Sequence, residues 1–227
     1  TNAFILSPFT LAINIIFWKK INDDNFKRFM TKSSTYLFSA MIFISLLITF
    51  IIPYVLKIFV RNQSLLPAEN IIPFILFSNC FVALFLFPSL DFYHRRNTNA
   101  ILYIIASCLV FNVVANIIFI KYFGMYASAV ITVLSFILML LLGHYLTKSY
   151  SFTKFEVYKV ILLSALFISI VALSYALRSV NIAIDLGFKS ILIFLFIFIL
   201  YIFKFFEPVE IESIKGFFNK YFIKKFR

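Results

Sequence analysis

Asn97–Thr147 reads NTNAILYIIASCLVFNVVANIIFIKYFGMYASAVITVLSFILMLLLGHYLT, two long apolar segments separated by one short hydrophilic hinge, Lys121 to Gly124. The first, Asn97 to Ile120, carries no charged side chain. At about 1.5 Å rise per residue it is long enough, as a helix, to cross a hydrocarbon core of roughly 30 Å. The second, Tyr122 to Thr147, is equally free of charge, and so short a turn between two spans makes them antiparallel neighbours. The pair therefore predicts a membrane-embedded helical hairpin, and the rest of the chain repeats its plan.

Composition agrees. Hydrophobic residues make up 63% and charged residues 13% of the chain, with a mean hydropathy of +1.02. Soluble domains have about 45–50% and 25%. The apolar runs are continuous and do not alternate, so a strand barrel is excluded and the fold is all-α, a polytopic helix bundle in which each helix satisfies its own backbone in lipid. Cys80 and Cys108 both fall inside apolar runs, away from any Cys or His, and read as small buried hydrophobes, neither ligands nor a disulfide. The net charge of +12 does not point to nucleic acid, because the basic residues flank the apolar runs as membrane orientation requires.

Taken in order, the runs are Phe4–Trp18, Ser33–Leu56, Asn70–Leu90, the two of the hairpin, Val160–Leu177 and Leu186–Phe203, giving one partial and six full spans. The polar stretch Lys19–Lys32 reads as the first loop. Pro53 and Pro88 lie inside spans, where each removes a backbone hydrogen bond. Lys189, near the start of the last run, is placed to extend its side chain to the interface. The first run lacks the charged leader and cleavage site of a signal peptide, and the chain is expected to be the C-terminal portion of a longer protein.

Positive charge divides between alternate loops. One set carries Lys19, Lys20, Lys27, Arg28, Lys32, Arg95, Arg96, Lys148, Lys154, Lys159, Lys204 and the lysines and arginine beyond it; the other carries only Lys57, Arg61, Lys121, Arg178 and Lys189. The positive-inside rule makes the first set, and the C-terminus, cytoplasmic. Past Pro208, Ile211, Ile214, Phe218, Tyr221 and Phe222 recur at helical spacing opposite lysines, the pattern of a basic amphipathic helix on an anionic leaflet, with a solvated tail as the alternative.

Little in the sequence points to catalysis, and no cofactor or metal is expected. All nine acidic residues fall in loops or at span ends, and no Ser/His/Asp or metal-ligand spacing occurs. His144 has no acid or histidine one turn away and reads as a satisfied interfacial histidine. Asn112 and Asn116 are the unusual polar residues, one turn apart on one helical face. They would supply either hydrogen bonds between helices or the polar wall of a cavity for a hydrophilic substrate. Gly124, Ser128 and Thr132 give the following helix a small-residue face for close packing. Arg95 and Arg96 stand just before the Asn helix, where its positive dipole end and two guanidiniums would form a bidentate anion site; the alternative is that they only enforce orientation.

The run FNVVANIIFIKYFGMYASAVITVLSF, Phe111–Phe136, resembles polysaccharide flippases of the multidrug/oligosaccharidyl-lipid/polysaccharide exporter superfamily, in which an Asn-rich helix ends in a Tyr/Phe-Gly hinge before a Gly-Ala-rich helix. DFYHRRNTNA, Asp91–Ala100, sits where that family has a short basic loop. The chain departs from the pattern in having Ala127–Ser128 for Gly-Ala and in lacking a glycine in the basic loop. The resemblance implies a bacterial inner-membrane protein that is not an enzyme. It would move an undecaprenyl-pyrophosphate-linked oligosaccharide, an O-antigen or capsule repeat unit, by alternating access. Residues 1–147 would form most of the second of two lobes, 148–206 two extra helices and 207–227 the basic tail. Its partners would be that lipid-linked substrate, membrane lipids and other polysaccharide-assembly membrane proteins, with Arg95, Arg96, Asn112 and Asn116 as substrate-binding residues. A multidrug exporter of the same superfamily and a membrane polysaccharide polymerase are the alternatives. The first is disfavoured by the absence of a mid-span carboxylate, the second by outward loops no longer than Lys57–Glu69.

Overall fold

A computed structural model describes residues 6–59, 69–177, 182–202 and 205 of the 227-residue chain. Among them are seven α-helices and no strand: α1 (Ser7–Lys20), α2 (Phe26–Phe59), α3 (Ile72–His94), α4 (Thr98–Phe123), α5 (Met125–Thr147), α6 (Val157–Ala176) and α7 (Ile182–Ile202). All but the 14-residue α1 are long and apolar enough to cross a membrane, so the protein is a multi-pass helical membrane protein. The expected amphipathic tail, Arg61 and Arg178 lie outside the described residues.

Several borders differ from the sequence reading. The polar stretch Lys19–Lys32 is a loop only over residues 21–25; α2 starts at Phe26 and runs 34 residues. Phe26 and Met30, one turn apart, are both buried and begin a stripe that continues through Leu37, Met41 and Ile42. Lys27 and Arg28, between the first two, are exposed. The hinge of the hairpin is likewise narrower than Lys121–Gly124: α4 runs through Phe123, and Gly124 alone turns the chain. Its φ of 57° and ψ of −141° suit glycine, and an added Cβ would meet nothing within 4 Å, so conformation rather than space dictates the residue.

The helix about which the first five are arranged is α3. On one side Phe38 packs against Phe81 with ring centroids 5.7 Å apart, and Ser45 Oγ donates to the Leu76 carbonyl at 3.4 Å, joining α2 to α3. On another, Phe85 and Phe92 meet Ile104 and Cys108 of α4 and Met139 of α5 in one buried cluster. Gly143 of α5 lies so close to α3 that a Cβ there would come within 2.8 Å of the Phe85 ring and 3.2 Å of Pro88 Cβ. Phe167 of α6 stacks on Phe77 at 5.0 Å. Cys80 and Cys108 are free and buried, as read from the sequence.

The small-residue face of α5 is displaced by one position from Gly124–Ser128–Thr132. Ala127 and Ile131 pack against Ala115 of α4, while Ser128 and Thr132 are only half-buried and the Thr132 hydroxyl donates back to the Ser128 carbonyl at 2.8 Å. The helical turn of Gly124 sets the phase, and the glycine itself is used up in that turn.

Between α5 and α6 the chain is fastened from two directions. Asp91, in the last turn of α3 and fully buried, accepts from Ser151 Oγ at 2.6 Å and from the Phe152 N–H at 3.3 Å. Glu156 accepts from Thr35 Oγ1 of α2 at 2.8 Å and pairs with Lys32 at 3.2 Å and Lys159 at 3.1 Å. Burial alone would raise the Glu156 carboxyl, but the hydrogen bonds from Thr35, Lys159 and Lys32 hold it below its ordinary value.

The chain divides into two compact units inside α6, between Phe167 and Ile168. In the second unit, Asp185, Lys189, Leu192, Phe196 and Leu200 of α7 are buried at three- and four-residue spacing. Lys189 is buried and pairs with Asp185 Oδ2 at 2.9 Å, an acid one turn back that neutralises its charge.

Candidate functional site

The α3–α4 turn holds the first two candidate residues. Arg95 ends α3 and Arg96 follows with φ 56°, the only positive-φ non-glycine residue among those described. The Arg96 N–H donates to the Tyr93 carbonyl at 3.0 Å and the Asn97 N–H to the Phe92 carbonyl at 3.0 Å. These two bonds are the Schellman closure of a helix, in which the left-handed position normally belongs to glycine. An L-residue with a Cβ there costs about 1–2 kcal/mol. Glycine would suit this position best, and an arginine stands there.

The two guanidiniums are differently engaged. That of Arg95 lies 4.6 Å above the Tyr150 ring, whose hydroxyl is pushed above its ordinary value by burial and by the Asp91 carboxylate, with Arg95 opposing. Arg96 is exposed and makes no ion pair or side-chain hydrogen bond among the described residues. No side chain caps the N-terminus of α4, and its first turn holds no acid. An arginine without a side-chain partner thus precedes by two residues a helix start that no side chain caps, a pairing of groups that would suit an oxyanion and offers no nucleophile.

Asn112 and Asn116 face α5. Asn112 Nδ2 donates to Ser135 Oγ at 2.9 Å, Ser135 donates on to the Ile131 carbonyl at 2.8 Å, and Asn116 Nδ2 donates to Asn112 Oδ1 at 3.0 Å and to its carbonyl at 2.8 Å. Buried Ile104, Cys108 and Ala115 continue the same stripe of α4, so Asn112 belongs to the packed seam of the hairpin. Its hydrogen bond across the seam is the first of the two roles read from the sequence. Asn116 Oδ1 remains buried without a partner among the described residues.

These four residues do not form one site. Along α4, fourteen steps at about 1.5 Å place Asn112 roughly 21 Å from Thr98, which follows Arg96 by two residues. No family model, no curated protein and no solved structure matches this chain. Whatever the protein does is therefore argued from its own residues. Among those described, no three His, Cys, Asp or Glu side chains gather as a metal site would need.

Two groups escaped the sequence reading. Asp91 looked like a loop acid, but its partners Ser151 and Phe152 lie some sixty positions away and nothing local announces them. His144 looked satisfied, yet its Nδ1 is buried with no hydrogen-bond partner among the described residues and its ring meets Phe155 edge-on at 5.3 Å. Packing against an aromatic ring took the place of the expected polar contact.

Proposed function

We propose that this chain is part of a flippase that carries an undecaprenyl-pyrophosphate-linked sugar repeat unit across the bacterial inner membrane by alternating access. The end bearing the α1–α2, α3–α4 and α5–α6 connections faces the cytoplasm, and the α3–α4 turn meets the pyrophosphate as the lipid enters. One observation carries this reading: Arg96 holds a backbone conformation that glycine would hold at lower cost, and it stands two residues before the uncapped start of α4. Such strain in an exposed turn is best accounted for by what the side chain does. The reading is also supported by how the acids of the helices are held among the described residues: Asp91 by Ser151 and Phe152, and Asp185 by Lys189. An exporter of organic cations would need an acid facing its cavity.

No bond is made or broken in this account. The substrate shifts the balance between two conformations only as far as it binds them differently. Deleting the full-length gene should leave undecaprenyl-linked repeat units on the cytoplasmic face and strip polysaccharide from the cell surface. Single repeat units already delivered to the outside and left unpolymerised would instead identify a polymerase. Normal surface polysaccharide with heightened sensitivity to cationic drugs would identify an exporter.

A further inference from the structure

α1 has two unlike faces. Ile13 and Phe17 are buried, at 3% and 0% exposure, while Leu11, Ile15 and Trp18 are 66%, 69% and 54% exposed. The exposed three fall at i, i+4 and i+7, so they form one apolar stripe along the outside of the helix, and the stripe ends directly beneath Lys19 and Lys20.

That basic end is held in place by an aromatic knot. Phe17 packs edge-on against Phe26 of α2 at 5.4 Å, Phe152 of the α5–α6 loop at 5.7 Å and His94 of α3 at 6.2 Å, and Trp18 lies 6.0 Å from His94. Trp18, Phe26 and His94 are each followed at once by a basic pair: Lys19–Lys20, Lys27–Arg28 and Arg95–Arg96. The knot thus gathers three basic pairs from two separate connections. The acids on the same connection are Asp23 and Asp24, both exposed, too few to cancel them.

We propose that α1 and the two connections beside it bind an anionic phospholipid of the bilayer. An acyl chain lies along Leu11 and Ile15, Trp18 sits at headgroup depth where indoles collect, and the phosphate is met by Lys19, Lys20 and Lys27. A soluble phosphate would use the charges and leave the stripe without a role. A neutral lipid would use the stripe and leave the charges without one. Only a molecule with both parts accounts for an apolar stripe of about 10 Å that ends in clustered cations. The proposal stands apart from transport, since its test leaves Arg95 and Arg96 in place.

The test is native mass spectrometry of the full chain released from detergent and titrated with dioleoyl-phosphatidylglycerol or dioleoyl-phosphatidylcholine. Phosphatidylglycerol should be retained preferentially, and Lys19→Gln with Lys20→Gln should weaken its binding about thirtyfold, as removal of two cations from a lipid-facing surface implies. Lys19→Arg with Lys20→Arg should restore it, and Trp18→Ala should lower retention of both lipids. Equal weakening by Lys148→Gln with Lys154→Gln, which removes the same charge from the α5–α6 connection, would reduce the site to a diffuse basic surface and overturn the proposal. Equal retention of the two lipids would overturn it as well. So would one-for-one displacement by farnesyl diphosphate, which would assign these cations to the diphosphate substrate.

Discussion

α3 and α4 are consecutive helices, uncharged through their middles and long enough to span, yet 67% of the apolar stretch of α3 is buried against 17% of that of α4. In α3, Ser78, Cys80, Phe81, Ala83 and Phe85 are all buried, positions spread around more than half of the helix circumference. In α4 burial is confined to Ile104, Cys108 and Ala115, with Asn112 half-buried between them. Length and hydropathy decide whether a helix enters the membrane; they do not decide whether it then faces protein or lipid. Lipid is as apolar as leucine, so the discriminating contacts are close packing and hydrogen bonding, which depend on partners distant in sequence.

The sharpest way to break this contrast is to remove a polar group from each helix. Asp91→Ala should cost about 3 kcal/mol, because it leaves the Ser151 hydroxyl and Phe152 N–H without their charged acceptor. Ser107→Ala on the exposed side of α4, where the hydroxyl only bonds back to the Tyr103 carbonyl, should stay within about 0.5 kcal/mol. Thermal unfolding of the detergent-solubilised protein measures both. Equal effects would mean that α3 is not the more tightly held helix.

That prediction also marks the boundary of what the sequence disclosed. The six spans, the partial first helix, the hairpin and the buried cysteines were legible because each follows from local length, charge and hydropathy. The border of α2 was missed because its charged residues share turns with the buried Phe26 and Met30. The Asn pair could be read as an interhelical contact, but its partner Ser135 could not be chosen from the several small residues of α5. The special geometry of Arg96 was hidden altogether, since its composition argued against the backbone it adopts.

A smaller effect should come from glycine. Gly143→Ala pushes a methyl group into Phe85 and Pro88 and should cost about 1–3 kcal/mol. Gly187→Ala in α7, where an added Cβ meets nothing within 4 Å, should stabilise by about 0.5–1 kcal/mol through reduced chain freedom. Opposite signs in unfolding midpoints would confirm that α5 approaches α3 as closely as described; a neutral Gly143→Ala would show that it does not. Smaller again is the seam of the hairpin. A double-mutant cycle on Asn112→Ala and Ser135→Ala should give a coupling of about 0.6 kcal/mol, the usual worth of a hydrogen bond between membrane helices. No coupling would remove Asn112 from the seam and return it to the candidate cavity wall.

The central claim, that Arg96 is kept for its guanidinium, is tested most directly by Arg96→Gly in the full-length protein, with unfolding and translocation of lipid-linked repeat units measured on the same preparation. Glycine relieves the left-handed strain, so stability should rise by about 1 kcal/mol while translocation falls, and Arg95→Lys with Arg96→Lys should also translocate poorly although its charge is unchanged. A stabilised Arg96→Gly protein that translocates at the full rate would contradict the account and leave the α3–α4 turn with no part in capturing substrate.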